Sequence, residues 1–159
     1  MPAKPIPAGY HSVTPYLFLK GAAAALDFYK QAFGAVEVMR LADPTGKIGH
    51  AEIKIGDSVV MLADEFPEMG VLGPQSIGGS STCFMIYVSD VDARFVQAVA
   101  AGAKVLRPVQ DQFYGDRSGT LLDPFGHQWT IATHKEDLTF DEINRRFAES
   151  MKPQSEPKA

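Results

Sequence analysis

The sequence has a single cysteine, Cys83, which excludes an intramolecular disulfide and a cysteine-rich zinc site. The fold therefore has to rest on its apolar core. Long hydrophobic runs are missing too. The uncharged stretch at residues 21–26 falls far short of the about 20 apolar residues that a membrane span needs, and residues 1–9 lack the apolar centre of a signal peptide. A cytoplasmic protein with no membrane partner is expected. Basic runs are absent as well: 15 Lys plus Arg stand against 19 Asp plus Glu, a formal net charge of -4, so nucleic acid is not an expected partner. What remains, 45% hydrophobic and 21% charged over 159 residues, suits one compact domain or two small modules sharing a core.

Periodicity divides the chain into two similar halves. Leu26, Tyr29 and Phe33 recur at helical spacing behind an alanine run, with Gly34 placed to end the helix, so residues 22–33 are predicted helical. Strands are predicted at 12–19 and 36–41, the latter closed by the turn Asp43-Pro44-Thr45-Gly46, and then at 50–55 and 58–63 around Gly56-Asp57. In the second half a strand at 83–88 precedes a helix capped by Asp90, with Val91, Phe95, Ala98 and Val99 as its buried stripe and Gly102 at its end. Strands near 104–109, 120–123 and 128–133 complete it. Gly34 and Gly102, like Gly56 and Gly126, lie about 70 residues apart, the mark of a duplicated βαβββ unit. The expected fold class is α+β, with tandem modules at about 10–65 and 83–135 forming a curved eight-stranded cleft within a single domain at 10–150.

The Gly-, Pro- and Ser-rich segment 66–82 reads as a linker long enough to form a pocket lip. A Thr139/Glu142 capping box, flanked by Leu138 and Ile143, predicts a helix over 139–151. Residues 1–9 and 152–159 read as flexible ends.

Two tandem βαβββ units carrying Asp27-Phe28-Tyr29 and Asp123-Pro124-Phe125-Gly126 resemble the vicinal oxygen chelate superfamily. That superfamily comprises glyoxalase I, extradiol dioxygenases, fosfomycin-resistance enzymes and bleomycin-binding proteins. The segments Thr14-Pro15-Tyr16-Leu17, Gly49-His50-Ala51-Glu52 and Tyr114-Gly115-Asp116-Arg117-Ser118-Gly119-Thr120 are similar to its PhnB-like branch. The resemblance implies a cleft between two concave sheet faces and, in metal-dependent members, one ligand on the first and one on the last strand of each unit. The corresponding positions here are Thr14, Met61, Cys83 and Thr130. Two hydroxyls, a thioether and a thiol do not supply the carboxylate or imidazole donors that a hard divalent ion requires. No metal or other cofactor is expected, and metal-dependent glyoxalase I chemistry is disfavoured.

His50 and Glu52 are the strongest chemical pair in the chain. Two residues apart on a strand, they share a face opposite Ala51, Ile53 and Ile55, which places them in the cleft as a candidate base and its carboxylate partner. A solvated pair on a polar rim explains the same residues. As metal ligands they are two where three are needed, and His11 joins them only by a change of strand face.

Tyr16 and Phe18 share the parity of Thr14 and form either a stacking wall for a ligand or ordinary core. Tyr114, with Gly115, Asp116 and Arg117, reads either as a ligand clamp at the cleft mouth or as a turn held by an Asp to Arg pair. Trp129 is expected beneath the second helix against Phe95 and Val99. His127 and His134 read as turn or surface residues, and Cys83 as an ordinary thiol. The function these features point to is a metal-free small-molecule binding protein, the alternative being an enzyme working through His50 and Glu52. A homodimer is expected, because open sheet edges favour pairing across two chains.

Overall fold

The computed structural model describes residues 3–152. Strand β1 (Tyr16–Leu19) leads into helix α1 (Ala22–Phe33), followed by β2 (Val36–Ala42), β3 (Ile48–Ile55) and β4 (Ser58–Asp64). A 3₁₀ turn (Pro67–Met69) and the single-turn helix α2 (Pro74–Ile77) lie between the halves. The second half runs β5 (Cys83–Tyr87), α3 (Val91–Ala100), β6 (Lys104–Asp111), β7 (Asp116–Leu122) and β8 (Gln128–His134), with α4 (Phe140–Ser150) last. The strands form two four-stranded mixed sheets of identical topology, β1-β4-β3-β2 and β5-β8-β7-β6, in which the first strand of each module pairs parallel to the last. The α+β class and the duplicated βαβββ order are those expected.

The local chemistry of each element is visible in its ends. Gly34 closes α1 in the left-handed region at φ 69, and Asp90 caps α3 by accepting from the Ala93 amide at 3.0 Å. Thr139 accepts from the Glu142 amide at 3.2 Å, but the Glu142 carboxylate turns to Arg145 and Arg146, so only half of the expected capping box forms. Helix α1 starts at Gly21, which has no capping side chain of its own. Asp64, at the end of β4, supplies the cap from a distance: Oδ1 accepts from the Gly21 and Ala22 amides at 2.9 Å each, and Oδ2 from the Ile48 amide at 2.7 Å.

Helices α1 and α3 each cover one face of their own sheet. Leu17, Leu19, Ala51, Ile53 and Leu62 in the first module, and Leu121, Trp129 and Ile131 in the second, are essentially inaccessible. The two modules meet through aromatic rings. Trp129 packs on Tyr29, Phe33 and Phe84 with centroids 5.3, 4.9 and 4.9 Å away. Asp123, only 3% exposed, joins the same junction: Oδ2 accepts from Tyr29 Oη at 2.7 Å and Trp129 Nε1 at 2.9 Å, while Oδ1 accepts from the Phe125 and His127 amides.

Several local expectations are corrected. Trp129 is structural, but its partners are α1 and Phe84 rather than Phe95 and Val99. Val99 is 39% exposed and leaves the buried stripe of α3. The turn expected at 114–117 is confined to residues 113–115, and β7 begins at Asp116, its residues 116–119 pairing with His134, Thr133, Ala132 and Ile131 on β8. The first strand is shorter than expected, and segment 66–82 carries two short helical turns. His127 is buried at 7% exposure, its Nε2 3.2 Å from the Phe18 carbonyl oxygen. Of the expected flexible ends, residues 1–2 and 153–159 lie outside the described residues, while residues 3–9 are exposed and form no helix or strand.

Candidate functional site

Three strands bring the site together on the face of the first sheet opposite α1. Tyr16 on β1, Met61 on β4 and Glu52 on β3 stand in one row, since Tyr16 pairs with Met61 and Met61 with Glu52. His50 lies two residues before Glu52 on the same face, as the alternation requires. The side chains make a continuous hydrogen-bonded chain. Tyr10 Oη donates to Glu52 Oε2, Glu52 Oε1 lies 3.0 Å from His50 Nε2, and His50 Nδ1 lies 2.7 Å from Tyr16 Oη. Phe18 stacks on Tyr16 with centroids 4.8 Å apart. Tyr16 is 40% exposed, so this wall is open to a ligand.

The electrostatics follow from Glu52, which is 5% exposed. Burial pushes its carboxyl up, but the Tyr10 hydroxyl and the His50 ring outweigh that and hold it below the usual carboxylate range. Glu52 is therefore an anion at neutral pH. It raises the Tyr10 hydroxyl by accepting its hydrogen bond, while burial and then the Glu52 charge raise Tyr16. The arrangement is a buried carboxylate orienting an imidazole, flanked by two protonated phenols and an aromatic stack. It can accept and donate hydrogen bonds to a polar ligand, and it can hold or move one proton at His50.

The second sheet carries a different set on its matching face. Thr120 occupies the place of Glu52, and its Oγ1 lies 2.9 Å from Thr130 Oγ1, which in turn is 3.3 Å from Cys83 Sγ. Farther along, Tyr87 Oη donates to Asp116 Oδ2 at 2.9 Å, and His134 bridges Asp116 at 2.7 Å and Asp137 at 2.9 Å. These two carboxylates raise His134, Asp116 first. His134 is exposed, as expected of a surface residue, and is also part of an acid-imidazole-phenol set. The sequence does carry its signal: Tyr87, Asp116 and His134 have the parity of Cys83, Thr120 and Thr130 on their strands.

The expected residues divide between two faces. His50, Glu52, Tyr16, Phe18 and Met61 share the first, and Cys83 and Thr130 the second. Thr14 precedes β1, with its hydroxyl 3.4 Å from the His11 carbonyl oxygen. Tyr114 packs edge-on against Phe113 and belongs to neither group. The Asp116 to Arg117 pair does not form, because adjacent strand residues point to opposite faces: Arg117 instead pairs with Asp92 at 2.8 Å and Asp111 at 3.1 Å. Tyr10 was missed, since nothing in an irregular lead marks it as reaching Glu52.

The four positions that the fold would use for a metal are filled by neutral side chains: Thr14 bonds to backbone, Cys83 and Thr130 to one another, and Met61 offers only a thioether. Among the described residues no three His, Cys, Asp or Glu side chains gather into a metal-binding group. The donor set does not fit a divalent ion.

The same architecture recurs in known proteins. The chain is 42% identical over 135 residues to Rv0887c, an uncharacterized protein of Mycobacterium tuberculosis, a match covering 83% of this chain and 79% of the relative. TioX from Micromonospora sp. ML1 is 28% identical, with a TM-score of 0.60 over 81% of this chain and all of that one. The fosfomycin resistance protein FosX from Mesorhizobium loti, 16% identical with a TM-score of 0.58 over 83% of this chain and 95% of that one, shares the fold. Residues 10–131, which span both modules and their aromatic junction, match the family model, and the chain belongs to the Glyoxalase/Bleomycin resistance protein/Dioxygenase superfamily.

Proposed function

We propose that this protein binds a small organic molecule against the concave face of its first module, without a divalent metal. The observation that carries this reading is the continuous Tyr10-Glu52-His50-Tyr16 chain beside the Tyr16 and Phe18 stack. It offers a flat aromatic surface with hydrogen-bonding groups of both kinds at its edge, the combination that selects a planar ligand with a polar substituent. The neutral residues at Thr14, Met61, Cys83 and Thr130 point the same way. Purified protein is expected to contain far less than one Ni, Zn, Fe or Mn per chain by elemental analysis. About one such ion per chain, lost when His50 or Glu52 is replaced, contradicts the proposal.

A second reading, an enzyme that uses His50 as base, is favoured by one observation: an anionic Glu52 holds the imidazole ring at Nε2 while Nδ1 faces a phenol. Turnover of a bound ligand that is lost in Glu52→Gln would establish it.

We also infer a homodimer. The edge strands β2 and β6 expose Val36, Val38, Leu41, Val105 and Leu106, an apolar fringe beside unpaired backbone groups that a second chain would cover. Light scattering at micromolar concentration should give twice the 17.3 kDa chain mass, and a value near 17.3 kDa refutes it.

A further inference from the structure

The seam between the modules is closed at one end and open at the other, although the two ends are related by the internal duplication. At the closed end the linker packs into the seam. A Cβ on Gly73 would come within 2.7 Å of Leu19 Cα, one on Gly126 within 2.8 Å of Pro74 Cβ, and Gln75 Nε2 donates to the Pro124 carbonyl at 3.0 Å. The duplicate positions of Leu19 and Gly126 are Val88 and Gly56. Among the described residues no linker reaches them. They line instead a cavity of about 880 Å³, within the size range of small-molecule sites.

The walls of this cavity include Phe33, Phe84 and Trp129, from the helix-facing side of the sheets, and its rim includes Arg94. Tyr16, Phe18, His50, Glu52 and Met61 are not among its lining residues, so it is separate from the face described above. Arg94 is half-buried, and its one hydrogen bond among the described residues is a 3.3 Å contact to Gln97 Oε1. Arg40, Arg117, Arg145 and Arg146 each have a carboxylate partner, whereas Arg94 has none among the described residues. Asp57, the acidic group on the rim, already accepts from the Ser58 hydroxyl at 2.8 Å. That bond to a neutral hydroxyl leaves the Asp57 charge in place, so the rim presents one cation and one anion without an ion-pair partner among the described residues, and of the two it is Arg94 whose forked donors suit a carboxylate.

We propose that this open end of the seam is a second ligand site, one that takes a monocarboxylate with an apolar body: the chain or ring lies against Phe84, Ile86 and Val88, over the packed Trp129, and the carboxylate meets Arg94. Trp129 is the only tryptophan, so its fluorescence reports on the cavity directly. Titration with octanoate should change Trp129 emission saturably, and 1-octanol, which has the same body without the charge, should bind at least about tenfold more weakly. Arg94→Gln should weaken octanoate about tenfold and leave 1-octanol unchanged, with Arg94→Lys intermediate. Tyr16→Ala and Glu52→Gln should bind octanoate like the parent, so failure of the first-module site leaves this result standing. Absence of saturable binding to the parent at millimolar octanoate overturns the proposal. So does parental octanoate affinity in Arg94→Gln, or in Arg94→Lys if the glutamine variant does not fold.

Discussion

Asp123→Ala is expected to destabilise the fold by about 3–5 kcal/mol, the largest effect of any single polar substitution considered. The carboxylate is buried and accepts from four donors: two backbone amides in its own turn, the Tyr29 hydroxyl from the first module and the Trp129 indole. Alanine leaves buried donors without partners at about 1–3 kcal/mol each, partly relieved by relaxation and entry of water. For a chain of this size the melting temperature should fall by about 10 °C. Tyr29→Phe removes one donor along with its bond and should cost far less. If calorimetry places Asp123→Ala within about 2 °C of the parent, the aromatic junction does not depend on this carboxylate, and packing of Trp129 on Tyr29 and Phe33 alone holds the modules together.

Tyr16→Ala should have the largest effect on binding at the first-module face. It removes the ring that stacks on Phe18 and the hydroxyl that meets His50, for a loss of about 1–3 kcal/mol in ligand affinity, roughly 5- to 150-fold. Glu52→Gln tests the polar side of the same site. It keeps the shape, removes the negative charge that supports His50, and places an amide where Tyr10 now donates. In a binding protein this should shift affinity for polar ligands modestly. In an enzyme it should depress the rate by about 10²-fold or more, since the base would lose its charged partner. A thermal-shift screen of aromatic metabolites and antibiotics supplies the ligand, and calorimetric titration of each variant measures both effects.

The parts of this structure legible in the sequence are those set by local period and by glycine. Ala51, Ile53 and Ile55 alternate with His50 and Glu52, and that alternation alone puts the pair on the open face. The repeat of Gly34 and Gly56 at Gly102 and Gly126 exposes the duplication, because a left-handed backbone at a helix end or hairpin constrains the residue regardless of tertiary context. What was hidden depends on approach through space. Tyr10 reaches Glu52 across 42 residues and Asp64 caps α1 across 43, and neither spacing has a local signature. Trp129 was placed in its own module because its strand parity says only that it faces the helix layer. That this layer contains α1 follows from how the modules dock. Residues 114–117 read as a turn because they are polar and contain glycine, yet Asp116 and Arg117 already belong to a strand whose backbone is satisfied by β8.

The central claim, a metal-independent ligand site on the first-module face, is tested most directly by titrating one ligand from the screen into protein stripped by a chelator and into protein reloaded with Ni, Zn, Fe or Mn. The expected result is the same dissociation constant in both, weakened 5- to 150-fold by Tyr16→Ala. Binding that disappears on stripping and returns with one ion per chain contradicts it.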